Sequence, residues 1–129
     1  MKIIGIGVDI VENKRIKLAI KNKKFINRTF GTDEISNSKK IISKTNYLSK
    51  RFAAKEALAK ALGTGFRDKL NLKDIQILNN NLGKPYYIVN SKLKKLIKKK
   101  TKVDKFNLFL SITDEKEYSI AFAIIQSLK

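Results

Sequence analysis

The residues best suited to chemistry lie in one stretch, RFAAKEALAKALGTG at 51–65. Its pattern predicts a helix ending at Gly63, on which Arg51 and Lys55 stand four residues apart, as do Glu56 and Lys60. Residues at i and i+4 share a helix face, so each pair acts from one side. Phe52, Ala53, Ala54, Ala57, Leu58, Ala59, Ala61 and Leu62 leave no wide polar face, the pattern of a buried helix. A charge in such a surface must be paired or bound to something. Either these are solvated helix edges at the rim of a core, or Glu56 and Lys60 line a cleft that holds a metal or a phosphate. Asp9 poses the same question inside the apolar run IIGIGVDIV at 3–11, read as a buried strand punctuated by Gly5 and Gly7. Alone, Asp9 reads as a hydrogen-bonded structural carboxylate capping the next segment.

Composition narrows the chemistry. The 129 residues contain no cysteine and no histidine, which removes disulfides, thiolate sites and imidazole as base or ligand. Any metal must be a hard cation held by oxygens, such as Mg²⁺. With 29 Lys and Arg against 11 Asp and Glu, the net charge of +18 favours polyanionic partners: nucleic acid, acidic protein or phosphorylated small molecules. Most of that charge is Lys, in a chain also rich in Ile and Asn, so part of it is compositional drift. At this length one domain with one core is expected. No apolar run approaches a membrane span and no cleavable signal pattern is evident, so the expected location is the cytoplasm.

The elements that must position these residues follow in order. Residues 12–30 carry Ile16, Ile20, Phe25 and Phe30 amid Lys and Arg, and read as an amphipathic helix with a basic face. Gly31-Thr32-Asp33-Glu34 starts a new helix with Thr32 as N-cap, 36–46 is polar, and the central helix is expected to begin near Ser49. Ile75–Leu78 and Tyr86–Val89 read as a hairpin across Asn79–Gly83, with Lys84-Pro85 opening the second strand. Residues 91–102 read as a basic helix with Ser91 as N-cap and Leu93, Leu96 and Ile97 inward, its lysines a solvated face. A second hairpin joins Phe106–Ser111 to Tyr118–Ile125 through Asp114–Glu117. This order predicts a compact α+β fold, a mostly antiparallel sheet of hairpins around a buried central helix.

GIGVDIVENKRI at 5–16, RFAAKEALAKALGTG at 51–65, LGKPY at 82–86 and LSITDEKEYSIAFAI at 110–124 resemble, in order and spacing, the motifs of the bacterial holo-acyl-carrier-protein synthase family. A G-x-D strand motif alone is weak, but joined to K-E-A-x-x-K about 45 residues later it is fairly specific, and the four together span essentially the whole chain. The resemblance implies the 4′-phosphopantetheinyl transferase fold over 1–129. It implies transfer of 4′-phosphopantetheine from coenzyme A to a serine of apo acyl carrier protein, releasing adenosine 3′,5′-bisphosphate, in fatty acid biosynthesis. By the same resemblance Asp9 and Glu56 hold Mg²⁺, Glu56 helps deprotonate the serine, and Lys60 neutralises the diphosphate. Arg51, Lys55, Lys84, Pro85, Ser111 and Thr113 become coenzyme A contacts, and Gly63 and Gly65 let backbone approach the nucleotide. Lys14, Arg15, Lys21 and Arg28 would dock the acidic carrier protein. The family also implies a homotrimer with active sites between subunits, Asp9 coming from one chain and the central helix from its neighbour.

One position departs. Many family members carry histidine where this chain has Asp114, so a mechanism that needs an imidazole is excluded, and Asp114 is either a third carboxylate near the metal or a turn residue. Two further readings compete with the transferase. A non-enzymatic basic binding module is one, but aromatics are not interleaved with the basic residues, no nucleic-acid-binding signature is present, and buried acids go unexplained. An inactive relative that only binds acyl carrier protein is the other, and the retained metal and phosphate residues argue against it.

Overall fold

A computed structural model describes residues 1–63 and 71–128 of the protein. The chain runs β1 (Lys2–Glu12), α1 (Asn13–Ala19), α2 (Lys23–Thr29), α3 (Thr32–Ser38), α4 (Lys44–Ala61), a 3₁₀ turn (Leu72–Asp74), β2 (Gln76–Asn79), β3 (Pro85–Ile88), α5 (Ser91–Thr101), β4 (Phe106–Asp114) and β5 (Tyr118–Ser127). The expected α+β arrangement is what forms. β1, β5 and β4 make an antiparallel sheet in that order, and β2 and β3 make a separate hairpin. No helix of the described residues is long and apolar enough to cross a membrane.

α4 lies across one face of the three-stranded sheet, and small residues let it come close. Gly7 pairs with Ala123 and Asp9 with Ala121, so β1 and β5 present little side-chain bulk toward the helix. A Cβ on Gly7 would stand 1.9 Å from the Ala57 carbonyl oxygen and 2.7 Å from the Ala61 nitrogen. On Gly5 it would stand 2.2 Å from the Ala61 carbonyl oxygen. All three distances are well inside van der Waals contact, so strand backbone rests on helix backbone. The other sides of α4 are closed by Phe30, Ile75, Ile77, Tyr87, Leu93 and Ile97, all buried, and the Tyr87 hydroxyl donates to the Ala54 carbonyl at 2.6 Å. Ala53, Ala54, Ala57, Leu58 and Ala59 are consequently shut away from solvent all round the helix.

The opposite face of the sheet is bare. Alternation along the strands puts Ile6, Val8 and Ile10 of β1, Phe122 of β5 and Phe109 of β4 on it, each exposed. β1 is therefore buried on one face only, where a strand buried on both was expected.

Four local expectations are corrected. The single helix over 12–30 is two, because Lys21, Asn22, Lys23 and Lys24 offer no inward side chain and the Asn22 carboxamide caps α2 by accepting from the Lys24 N–H at 2.8 Å. α4 starts at Lys44, not near Ser49; its polar first turn projects past the core, so it needs no apolar residues. Gly31, not Thr32, occupies the N-cap of α3. Asn90, not Ser91, caps α5, its side chain accepting from the Leu93 N–H at 2.8 Å.

Gly7→Ala is expected to destabilise the protein by about 3 kcal/mol or more, since the new methyl meets backbone that cannot rotate away. Gly83→Ala should cost about 1 kcal/mol, because Gly83 has open space around it but a φ of +82°. Chemical denaturation of the two variants beside the wild type checks the difference.

Candidate active site

The glycine contact between β1 and α4 brings Asp9 beside the helix's two catalytic candidates. Asp9 follows Gly7 by two residues and so points to the same, helix-facing side of β1. Lys60, one turn beyond Glu56 on α4, donates to the Asp9 Oδ1 at 3.1 Å and to the Val8 carbonyl at 3.1 Å. The Asp9 side chain is only 15% exposed and that of Lys60 is 54% exposed, so the pair opens to solvent on the ammonium side.

Glu56 completes the cluster and is its electrically tense member. Its half-buried carboxyl has a pKa raised above the ordinary value, first by burial and second by the Asp9 charge. Lys60 and Arg15 pull it back down without cancelling the rise. Two carboxylates and an ammonium thus meet within one chain. Asp9 and a neighbour's helix were expected to meet across a subunit boundary; here the approach is intramolecular. Arg15, expected only as a docking residue, also faces this site.

The donor set suits a hard divalent cation in part. Among the described residues no group of three or more His, Cys, Asp or Glu could hold a metal ion by itself. Asp9 and Glu56 remain as an oxygen pair, and Mg²⁺ commonly binds through one or two carboxylates with substrate phosphates and waters supplying the rest. Asp114 does not join them; it ends β4 opposite Ser119.

The other face of α4 serves a different purpose. Lys55, expected as a coenzyme A contact, is fully buried and paired with Glu34 at 2.6 Å. Its ammonium also donates to the Leu72 carbonyl at 3.1 Å and to that of Ile75, so its three N–H groups are spent. Glu34 in turn accepts from the Gly31 N–H at 2.9 Å and the Ile77 N–H at 3.0 Å. The pair stitches α3, α4, the 3₁₀ turn and β2 together and leaves Lys55 no reach toward a ligand. Glu34 was read only as part of a helix start, and nothing in the spacing pointed to its partner 21 residues away.

Arg51 is buried as well, yet lines a cavity of about 810 Å³ with Lys40, Lys50, Tyr47, Asn79 and Asp114. Lys84 and Pro85 sit in and after the β2–β3 turn, and the Asn79 carboxamide donates to the Gly83 carbonyl at 2.8 Å within it. Gly63 follows the Leu62 C-cap of α4 with φ +76° and no contact from the described residues at its Cβ position, and Gly65 lies outside the described residues. Ser111 and Thr113 fall on the bare face of the sheet, opposite Phe122 and Ile120, away from Asp9. Lys14 and Lys21 line a basic groove of about 790 Å³ with Lys17, Leu18, Lys44 and Lys116. Arg28 lies apart from that groove, its guanidinium 5.9 Å from the Phe25 ring.

Residues 5–123 match the sequence model of the 4′-phosphopantetheinyl transferase superfamily. The chain belongs to that superfamily. It is 58% identical to the holo-(acyl-carrier-protein) synthase of Pelagibacter ubique over 126 residues, covering 98% of each chain. The crystal structure of the Neisseria meningitidis holo-(acyl-carrier-protein) synthase superposes with a TM-score of 0.86 at 37% identity, covering 97% of this chain and 99% of that one. That of the Bacillus anthracis holo-(acyl-carrier-protein) synthase, in complex with coenzyme A (3′,5′-ADP), gives a TM-score of 0.81 at 32% identity, covering 98% and 99%. Shared length and fold make the superfamily's enzymatic activity, phosphopantetheinyl transfer, the chemistry of this chain.

Removing one partner of the Lys55–Glu34 pair leaves a buried charge uncompensated. Lys55→Met should lower folding stability by about 3–5 kcal/mol, whereas Lys60→Ala, which breaks a partly exposed pair, should cost no more than about 1 kcal/mol. Urea denaturation distinguishes the two, and equal losses would contradict the division of α4 into a structural and a reactive face.

Proposed function

We propose that the Asp9–Glu56–Lys60 cluster transfers 4′-phosphopantetheine from coenzyme A to a serine hydroxyl of apo acyl carrier protein, releasing adenosine 3′,5′-bisphosphate. The observation that carries this reading is the intrachain meeting of two carboxylates and an ammonium at the open end of α4. Fatty acid biosynthesis in the cytoplasm is the setting proposed for it, with 1–129 acting as one domain.

Mg²⁺, held by Asp9 and Glu56, would neutralise the coenzyme A diphosphate as charge builds on it. Glu56, its carboxyl pushed toward the proton-binding range, accepts the serine proton directly or through water. Lys60 sets a positive charge beside Asp9 where the departing phosphate gathers negative charge. Lys14, Lys21 and Arg15 lie on or next to a basic groove, which suits a strongly acidic protein substrate.

A homotrimer is proposed as well. The bare sheet face of Ile6, Val8, Ile10, Phe109 and Phe122 is the kind of contiguous apolar surface that marks an interface. Ser111 and Thr113 share that face, so they would lie in that interface. Val8→Lys should yield single chains by light scattering with transfer largely lost, while the wild type has the mass of three.

The first test is intact mass of apo acyl carrier protein after incubation with the protein and coenzyme A, with Mg²⁺ or with excess chelator. One added phosphopantetheine only with metal is expected, falling by 10²-fold or more in rate for Glu56→Gln (about the yield of general base catalysis). In the metal-free protein the Glu56 carboxyl should titrate above the ordinary glutamate value of 4.5, because burial and the Asp9 charge hold its proton more tightly than usual; carboxyl NMR without Mg²⁺ checks this. Arg15→Gln removes a charge that lowers that pKa, so the metal-free titration should move to higher pH. The same raised pKa means that ionised Glu56 works against folding near neutral pH. Metal-free Glu56→Gln should therefore melt no lower than the wild type at pH 7.

A further inference from the structure

We propose that Asn79 is a positioning residue that ties the Gly83–Lys84 turn to Arg51, so that turn and guanidinium meet the coenzyme A donor as one rigid unit. This inference rests on the transferase reading above. Asn79, the last residue of β2, accepts at Oδ1 from the Arg51 Nη2 and donates from Nδ2 to the Gly83 carbonyl at 2.8 Å. A carboxamide can do both at once; a carboxylate has no donor and a hydroxyl lacks the span.

Each side of this bridge is held independently. On the helix side, Arg51 lies over the Tyr47 ring at 4.0 Å and is 4% exposed. Its buried Nε has no hydrogen-bond partner among the described residues, an unspent donor on a residue that lines the cavity shared with Lys40 and Lys50. A buried donor left unpaired is costly, and an incoming anion is the partner that would relieve it. On the turn side, the Asn80 carboxamide oxygen accepts from the Leu82 N–H at 2.9 Å and the Lys84 N–H at 3.0 Å. The Gly83 N–H donates to the Asn80 carbonyl at 2.9 Å. The turn is stiff in itself, and Asn79 links it to the helix that carries Glu56 and Lys60. A phosphorylated donor that binds across Arg51 and Lys84 then loses less freedom on ordering them.

The test is steady-state kinetics on Asn79→Ala and Asn79→Asp, with KM for coenzyme A, KM for carrier protein, kcat and the thermal midpoint all measured. Asn79→Ala should raise KM for coenzyme A roughly tenfold, as for the loss of one charge-assisted hydrogen bond, with kcat and the carrier-protein KM within about twofold. Asn79→Asp keeps the acceptor for Arg51 but loses the donor to Gly83, and should raise the same KM. Wild-type kinetics in Asn79→Asp would overturn the coupling, since the Arg51 contact alone would then suffice. So would an unchanged KM in Asn79→Ala, or a parallel loss in both substrates' KM together with the thermal midpoint, the mark of a purely structural role. A wild-type protein that transfers nothing would overturn the transferase reading and this inference together, whereas an active wild type with indifferent Asn79 variants would overturn only the latter.

Discussion

Everything in this fold that bears on chemistry depends on backbone touching backbone where β1 crosses α4. Gly5 and Gly7 leave no room for a side chain against Ala57 and Ala61. Had either position carried a methyl group, the strand would stand off by more than an ångström, and Asp9 would retreat with it. The interaction is a packing constraint, and its product is electrostatic: Asp9 and Lys60 in hydrogen-bond contact with Glu56 one turn behind. Dispersion contacts between small groups are individually weak, but a close-packed interior does not tolerate their displacement.

α4 then divides four of its six charged positions by face. Arg51 and Lys55 turn toward α3 and β2, Glu56 and Lys60 toward the open end of the sheet. Burying Lys55 carries a large desolvation cost, which is why its pKa is depressed despite Glu34. The cost is offset because all three donors and both carboxylate oxygens of the pair find partners, and a fully satisfied polar network rigidifies what it joins. The sharply different burial of two neighbouring residues, Lys55 and Glu56, is the structural signature of this division.

Much of this was legible in the sequence. The periodicity of 51–62 gave a buried helix, the apolar alternation gave the hairpins, and the Asp9 and Glu56 motifs pointed to one site. What periodicity could not reveal was which face of an all-round apolar helix meets which neighbour, because the answer depends on long-range contacts. Lys55 finds Glu34 and Arg51 finds Asn79 only after the chain has folded back on itself. The break at Lys21–Lys24 shows a milder limit: Ile20 and Phe25 are five residues apart, a spacing that fits neither one helix turn nor two, and the Asn22 cap decides it. The intrachain meeting of Asp9 and the central helix was missed for a different reason. It rests on two glycines, which carry no pattern of their own and are seen to matter only when the atoms a Cβ would strike are known.

The acids make a final point in a chain with 29 cationic side chains and only 11 acidic ones. With cations so plentiful, a lysine near a carboxylate says little; an acid that stays under-compensated says more. Glu34 is matched by Lys55 and Asp9 by Lys60, each at hydrogen-bond distance. Among the described residues Glu56 has no such partner, and the pull of Lys60 and Arg15 does not overcome burial and the Asp9 charge. In a protein with positive charge to spare, the raised pKa that Glu56 keeps is hard to account for by stability, since a structural role would be served by one more lysine. It is accounted for if the missing charge arrives with the substrate. Asp9 and Glu56 would hold a divalent cation that arrives with the substrate, and it would supply positive charge where negative charge builds on the transferring phosphate, which accelerates the reaction so far as that interaction is stronger in the transition state than in the bound substrate.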